Sequence, residues 1–138
     1  MIAHDLIVVL IAAVVAFLLG GVWYSPLLFA KAWVAAHGYT AEKVAQMQKD
    51  APKAYAISFL CQLVMAAVLA MILLHLGVTN WKHGAFWAAH IWLGFAATIG
   101  LMAHVYSDRK LAVYLIDVGY QLVYLVVMGA IIGGWAVH

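Results

Sequence analysis

Four long apolar runs dominate the chain, and its polar residues are concentrated in the connections between them. The runs cover residues 6–22, 54–76, 84–105 and 111–137. Each run is continuously apolar and does not alternate with polar positions, and a helix of about 20 residues crosses the hydrocarbon core of a bilayer. Because backbone amides in lipid must be paired within their own segment, the pattern predicts an all-α transmembrane four-helix bundle that forms one domain over residues 1–138.

The connection between the first two runs predicts two shorter helices. Pro26 disfavours helical geometry at Ser25, so the first span is expected to stop there, and Ser25 can N-cap a helix that begins at Pro26. This segment is apolar but too short to cross, which predicts an interfacial helix that ends at Gly38. Thr40 is expected to cap a further short helix before Pro52 turns the chain back into the membrane.

Composition supports lipid as the main solvent of the chain. Of its 138 residues, 69% are apolar and 9% are charged, whereas a soluble domain carries about 25% charged residues. The formal charge of +2 and the absence of a basic stripe in the sequence exclude nucleic acid as an expected partner.

The basic residues predict the orientation. The first and third connections hold six of the seven, and the second connection holds only Lys82. The six are Lys31, Lys43, Lys49, Lys53, Arg109 and Lys110. Since cytoplasmic loops are enriched in Lys and Arg, both chain termini are expected on the outer side.

Asp117 is the only acidic residue well inside a predicted span. A charge at that depth costs at least ~2.5–3.5 kcal/mol, which makes an intramembrane acid a candidate functional group. Gln121 lies one turn away, and counting back through the short connections places Thr98, Gln62 and Ser58 at a similar depth. We therefore expect these five residues to form one polar layer. This layer is either a structural cluster of interhelical hydrogen bonds or a site that binds a proton, a cation or a polar ligand.

The histidines suggest a second kind of site. His90 and His104 lie fourteen residues apart, about 21 Å along a helix and nearly on one face, as two stacked haems would require. The outer end collects further histidines that could hold zinc or copper, namely His4, His75, His83 and His138. No paired motif fixes a coordination geometry, so we expect no cofactor, with haem and these metals as the alternatives.

The aromatic segment after the first span is the most specific motif of the chain. Its residues are expected to anchor the chain at the membrane interface: Trp23, Tyr24, Ser25, Pro26, Phe29 and Trp33. Together with "YAISFLCQLVMAAVLA", "WLGF" and "VGYQLVYLVVMGAIIGGW", the segment "GGVWYSPLLFAKAW" resembles a family of small bacterial membrane proteins known as domain of unknown function 1761.

The resemblance implies a bacterial origin and a four-span fold, and it implies no activity. The inner membrane is the expected location of such a protein. Members of the family often carry an amide or another uncharged residue where this chain has Asp117. A role for the carboxylate would then be particular to this chain.

Small residues recur at helical spacing and predict close helix contacts, either inside the protein or between copies. The clearest case is Gly129-xxx-Gly133. The leading hypothesis is a protein that acts by binding, either as an oligomeric channel or transporter-like module or as an accessory subunit of a membrane complex. An integral-membrane enzyme is a lesser alternative, because the sequence has no catalytic triad pattern, phosphate loop or paired carboxylates.

Overall fold

The computed structural model describes residues 3–135, which form helices joined by short turns. In chain order the helices are α1 (Ala3–Trp23), α2 (Ala30–His37), α3 (Ala41–His75), α4 (Trp81–Ile91), a π-helical segment (Trp92–Ala97), α5 (Thr98–Val105) and α6 (Leu111–Trp135). No strand occurs within residues 3–135. The all-α prediction is confirmed.

Four helical stretches are long and apolar enough to cross a membrane. They are Asp5–Trp23, Ala41–His75, Trp81–Val105 and Leu111–Trp135. We compared the most apolar 18 residues of each stretch. In the third stretch 6% of these residues are buried inside the protein, and in the fourth 39% are buried. Most of the apolar surface therefore faces outward, as contact with lipid requires.

Helix α6 lies at the centre of the packing and contacts α1, α3 and α4. Leu73, Met128 and Ile132 are the largest fully buried side chains. Small residues allow the neighbouring helices to approach: Ala12 and Ala16 are completely buried on α1, and Ala66 and Ala70 are buried on α3. These alanine ridges are thus used for contacts within one chain.

The contact between α4 and α6 depends on glycine. A Cβ atom placed at Gly84 would overlap the carbonyl oxygen of Gly129, and one placed at Gly129 would overlap the carbonyl oxygen of Gly84. A Cβ atom at Gly133 would lie 2.6 Å from the carbonyl oxygen of Asn80. The Gly129-xxx-Gly133 motif is therefore occupied by an internal helix contact.

The start of α3 differs from the prediction. The helix begins at Ala41, as expected from Thr40, whose side chain accepts a hydrogen bond from the backbone N–H of Lys43 at 3.1 Å. It then runs without a break through Pro52 for 35 residues, about 52 Å. The predicted turn at Pro52 was wrong: the helix includes Pro52, although proline removes one helical hydrogen bond and crowds the carbonyl four residues before it.

The start of α2 also differs. Helix α1 ends at Trp23 and Gly38 closes α2 in the left-handed conformation at φ 71°, both as predicted. Ser25, however, is not the N-cap of α2, which begins four residues after Pro26. The Ser25 hydroxyl instead donates to the carbonyl of Val22 and accepts from the amide of Leu27, so it stabilises the turn that follows α1.

Candidate functional site

Asp117 receives two hydrogen bonds from the segment that follows α1. The Tyr24 hydroxyl donates to its Oδ1 atom at 2.6 Å, and the Trp33 indole N–H donates to the same oxygen at 3.0 Å. Asp117 is half-buried on α6. Two neutral donors thus fix one carboxylate oxygen without neutralising its charge.

Two further tryptophans fix the backbone of α6 on either side of this acid. The Trp23 indole N–H donates to the carbonyl of Ile116 at 3.0 Å, and that of Trp92 donates to the carbonyl of Val118 at 2.9 Å. A helical carbonyl has a second lone pair, so both can accept these bonds in addition to their helical ones. The α6 backbone at Asp117 is therefore held by α1 and by the π-helical segment.

The π-helical segment supplies one of these contacts. Trp92 is its first residue, and Ala97, its last, accepts a hydrogen bond at 2.7 Å from the hydroxyl of Tyr114 on α6. Such segments often occur at functional sites. Here the irregularity lies opposite Asp117 and is bonded to α6 at both of its ends.

A groove of about 360 Å³ lies between α5 and α6 and includes Asp117. Its polar lining consists of His104, Ser107, Arg109, Tyr114, Asp117 and Gln121. No hydrogen bond from residues 3–135 reaches Oδ2 of Asp117, so this oxygen is available to a ligand in the groove. The groove thus contains both the Asp117 carboxyl group and the Arg109 side chain.

The charges of Asp117 and Arg109 both affect the pKa of His37. Its ring stacks on Tyr39 and packs against Trp33, with centroids 4.5 Å and 4.2 Å apart. Burial lowers the pKa of His37 below its ordinary value, the Arg109 guanidinium lowers it further, and the Asp117 carboxylate opposes them. The imidazole is therefore neutral at neutral pH, and its buried Nε2 has no partner among the described residues.

Tyr24 is a stable donor to Asp117. Its burial raises the pKa of the phenol, and the hydrogen bond to Asp117 raises it further. The hydroxyl therefore keeps its proton throughout the physiological range.

The predicted polar layer does not form as a single cluster. Asp117 and Gln121 share the groove, whereas Gln62 is buried between helices and donates to the hydroxyl of Tyr120 at 3.2 Å. Ser58 and Thr98 are exposed. Counting along the chain predicts depth, but it does not predict which way a side chain faces. In the third span the π-helical segment also changes the helical phase just before Thr98.

The described histidines are dispersed. His75 and His90 are exposed, and each is bonded through Nδ1 to a backbone carbonyl of its own helix at 2.8 Å. His83 is exposed beside Asn80, and only His104 lines the groove. The part of the chain that the structure describes contains no group of three His, Cys, Asp or Glu side chains able to hold a metal ion. His138 and the side chain of His4 lie outside it.

The segment predicted as an interface anchor has a role that the sequence did not reveal. Trp23, Tyr24 and Trp33 are donors to α6 at or beside Asp117. Phe29 packs on Trp23 with ring centroids 4.7 Å apart, and Ser25 and Pro26 form the turn that directs these rings. The sequence did contain a signal for this role. A dense group of aromatic N–H and O–H donors, in a chain with one acid well inside an apolar run, indicates that the donors could bond to that acid.

Comparison with protein families decides the relationship. The family described as "Protein of unknown function (DUF1761)" matches residues 7–133. The chain belongs to this family. Comparison with curated proteins and with solved structures finds no match. The region matched to DUF1761 contains Asp117 and both of its hydrogen-bond donors. These donors, Tyr24 and Trp33, lie more than 80 positions before Asp117 in the sequence.

Proposed function

We propose that this DUF1761 protein is a four-span helical bundle of the bacterial inner membrane, with both termini outside. The support is the placement of its basic residues. Trp33 contacts Asp117, and Arg109 affects the pKa of His37, so the first and third connections lie at one end of the structure. Six of the seven Lys and Arg residues belong to that end, which is the cytoplasmic one by the positive-inside rule.

Within that membrane protein, we propose that the groove binds a small polar ligand through a cationic group placed at Asp117. The observation that carries this function is the asymmetric carboxylate, with Oδ1 held by Tyr24 and Trp33 and Oδ2 left available in the groove. Aromatic donors that fix one oxygen hold the other in place for a ligand, which reduces the ordering that binding requires. Gln121 lines the same groove and adds an amide oxygen that can accept from an ammonium.

The cellular role that we propose is either a transporter-like module or an accessory subunit. Both roles use the same groove. Because four helices enclose little volume, a path across the membrane would need a second copy of the chain or a partner protein. The groove therefore supports ligand binding first, and transport only as part of an assembly.

Ethylammonium chloride tests this function as the simplest primary ammonium probe. The thermal midpoint of the purified protein in mild detergent should rise with ethylammonium and not with sodium chloride at equal ionic strength. In Asp117→Asn the apparent affinity should fall by at least about tenfold, since a hydrogen bond to a charged group contributes roughly 1.5–3 kcal/mol. The asparagine oxygen can still accept from Tyr24 and Trp33, so the fold should be kept.

Asp108→Asn is the matched control, because it removes the same charge from an exposed position in the connection between α5 and α6. It should bind ethylammonium like the parent. If the parent shows no ammonium-dependent stabilisation, or if Asp117→Asn matches Asp108→Asn, the proposed function is wrong.

A further inference from the structure

Arg109 gives the groove a second charged group. Its side chain lines the groove, and no carboxylate among the described residues lies within salt-bridge distance of the guanidinium. The first residue of α6 is Leu111, so Asp117 lies about six residues, or roughly 9 Å, further along the helix. The groove thus holds a cation just before the start of α6 and an anion about six residues into that helix, and the two are not paired with each other.

Arg109 and Asp117 line the same groove, and the charges of both also affect the pKa of His37. A ligand with a single positive charge would satisfy the acid and leave the guanidinium without a partner. A zwitterion of matching polarity satisfies both ends. Opposite charges across a binding surface also fix the orientation of the ligand.

The hydrogen-bond donors around Arg109 favour a phosphate as the anionic group of the ligand. Arginine binds phosphate through two parallel N–H groups. His104 lines the same part of the groove, and its ring nitrogens make no hydrogen bond to the described residues. The nearby Ser107 hydroxyl, which now donates to the carbonyl of His104 at 2.8 Å, could rotate toward a ligand. Such a set of donors suits an anion with three acceptor oxygens better than a carboxylate.

We infer that the groove binds a zwitterion with a primary ammonium and a phosphate ester, the ammonium at Asp117 and the phosphate at Arg109 and His104. This inference rests on the proposed function and adds the chemical class of the ligand. A volume of about 360 Å³ fits a ligand of phosphoethanolamine size, within the range typical of small-molecule sites. Such a group occurs both as a soluble compound and as the headgroup of a phospholipid.

Three soluble probes test the inference on the full-length protein in mild detergent: O-phosphoethanolamine, ethylammonium and inorganic phosphate. The parent should bind phosphoethanolamine at least about tenfold more tightly than ethylammonium, because the second charged contact is worth a decade or more in affinity. In Arg109→Gln that ratio should fall toward one. Lys110→Gln is the control, since Lys110 is exposed and does not line the groove, and it should keep the parental ratio.

The two sources of the ligand are separated by native mass spectrometry. If the source is a lipid, protein extracted from mixed vesicles should retain phosphatidylethanolamine in preference to phosphatidylcholine, whose quaternary ammonium has no N–H donor, and Arg109→Gln should lose that preference. If the source is soluble, phosphoethanolamine should bind equally well in nanodiscs with and without phosphatidylethanolamine. Either result supports the zwitterion.

An unchanged affinity ratio in Arg109→Gln overturns the inference. So does a parent protein that binds ethylammonium and phosphoethanolamine equally and prefers neither lipid. The failure of the proposed function is a different result, in which the parent does not respond to ethylammonium at all.

Discussion

Gly129→Ala should destabilise the protein by about 2–3 kcal/mol, although alanine is the better helix former. The added Cβ would overlap the carbonyl oxygen of Gly84 and lie 2.7 Å from the Cβ of Ala88. Neither contact can be relieved by rotating a flexible side chain, so α4 and α6 must move apart. Thermal or denaturant unfolding in detergent, followed by tryptophan fluorescence, measures the loss.

Gly21→Ala provides the same substitution where there is room. Nothing lies within 4 Å of a Cβ atom at Gly21, and the residue is exposed on α1. This variant should be neutral or more stable by up to ~1 kcal/mol, since alanine restricts the unfolded chain. If Gly129→Ala unfolded like Gly21→Ala, the close packing of α4 on α6 would be contradicted.

Tyr24→Phe should cost about 1.5–3 kcal/mol, because it removes the shorter of the two hydrogen bonds to the Asp117 carboxylate. Asp117→Leu should also destabilise, since it leaves the hydroxyl of Tyr24 and the indole N–H of Trp33 without an acceptor. The double variant Tyr24→Phe/Asp117→Leu removes both partners of one bond. Its loss should therefore be smaller than the sum of the two single losses, by about 1–2 kcal/mol.

Unfolding free energies of the parent, the two single variants and the double variant give this coupling directly. Tyr55→Phe is the control, because Tyr55 is 60% exposed and its hydroxyl makes no hydrogen bond to the described residues. It should change stability by no more than ~0.5 kcal/mol. Additive losses for Tyr24 and Asp117 would mean that their short contact does not stabilise the fold.

Much of the architecture follows from local signals in the sequence. The apolar runs locate the four long helices, and the boundaries at Trp23, Gly38 and Thr40 follow from proline, glycine and capping chemistry. These features depend on residues that are near in sequence, so the sequence contains the information needed to predict them. The same local reasoning failed at Pro52, where the helix continues despite the hydrogen bond that the proline removes.

The candidate site was predictable only in part. Asp117 and Gln121 could be selected because polar groups inside an apolar span are costly. Their partners could not, since Tyr24 and Trp33 are 93 and 84 positions from Asp117. No pattern in "WLGF" distinguishes a π-helical turn from an α-helical one. Trp92, whose indole N–H donates to the carbonyl of Val118 on α6, is the first residue of that turn. The sequence likewise did not show that Thr98 is exposed and that its hydroxyl donates to the carbonyl of Gly94.

The two hydrogen bonds that Asp117 accepts do not in themselves require a carboxylate. The two donors to Asp117 would serve an amide oxygen as well as a carboxylate oxygen, so a relative with an uncharged residue there can keep the same packing. Ammonium binding, however, depends on the charge. The network around this position is then a structural feature that an amide can preserve, whereas the proposed ammonium binding is not.

The account depends most on the claim that the connection bearing Arg109 lies on the cytoplasmic side of a membrane that the chain crosses four times. Single cysteines introduced as Asp108→Cys and Thr79→Cys test it, in a Cys61→Ser background because Cys61 is the only native cysteine. A membrane-impermeant maleimide applied to intact spheroplasts should label Thr79→Cys at once and should label Asp108→Cys only after the membrane is opened. Labelling of Asp108→Cys in intact spheroplasts, with Thr79→Cys protected, would contradict this orientation.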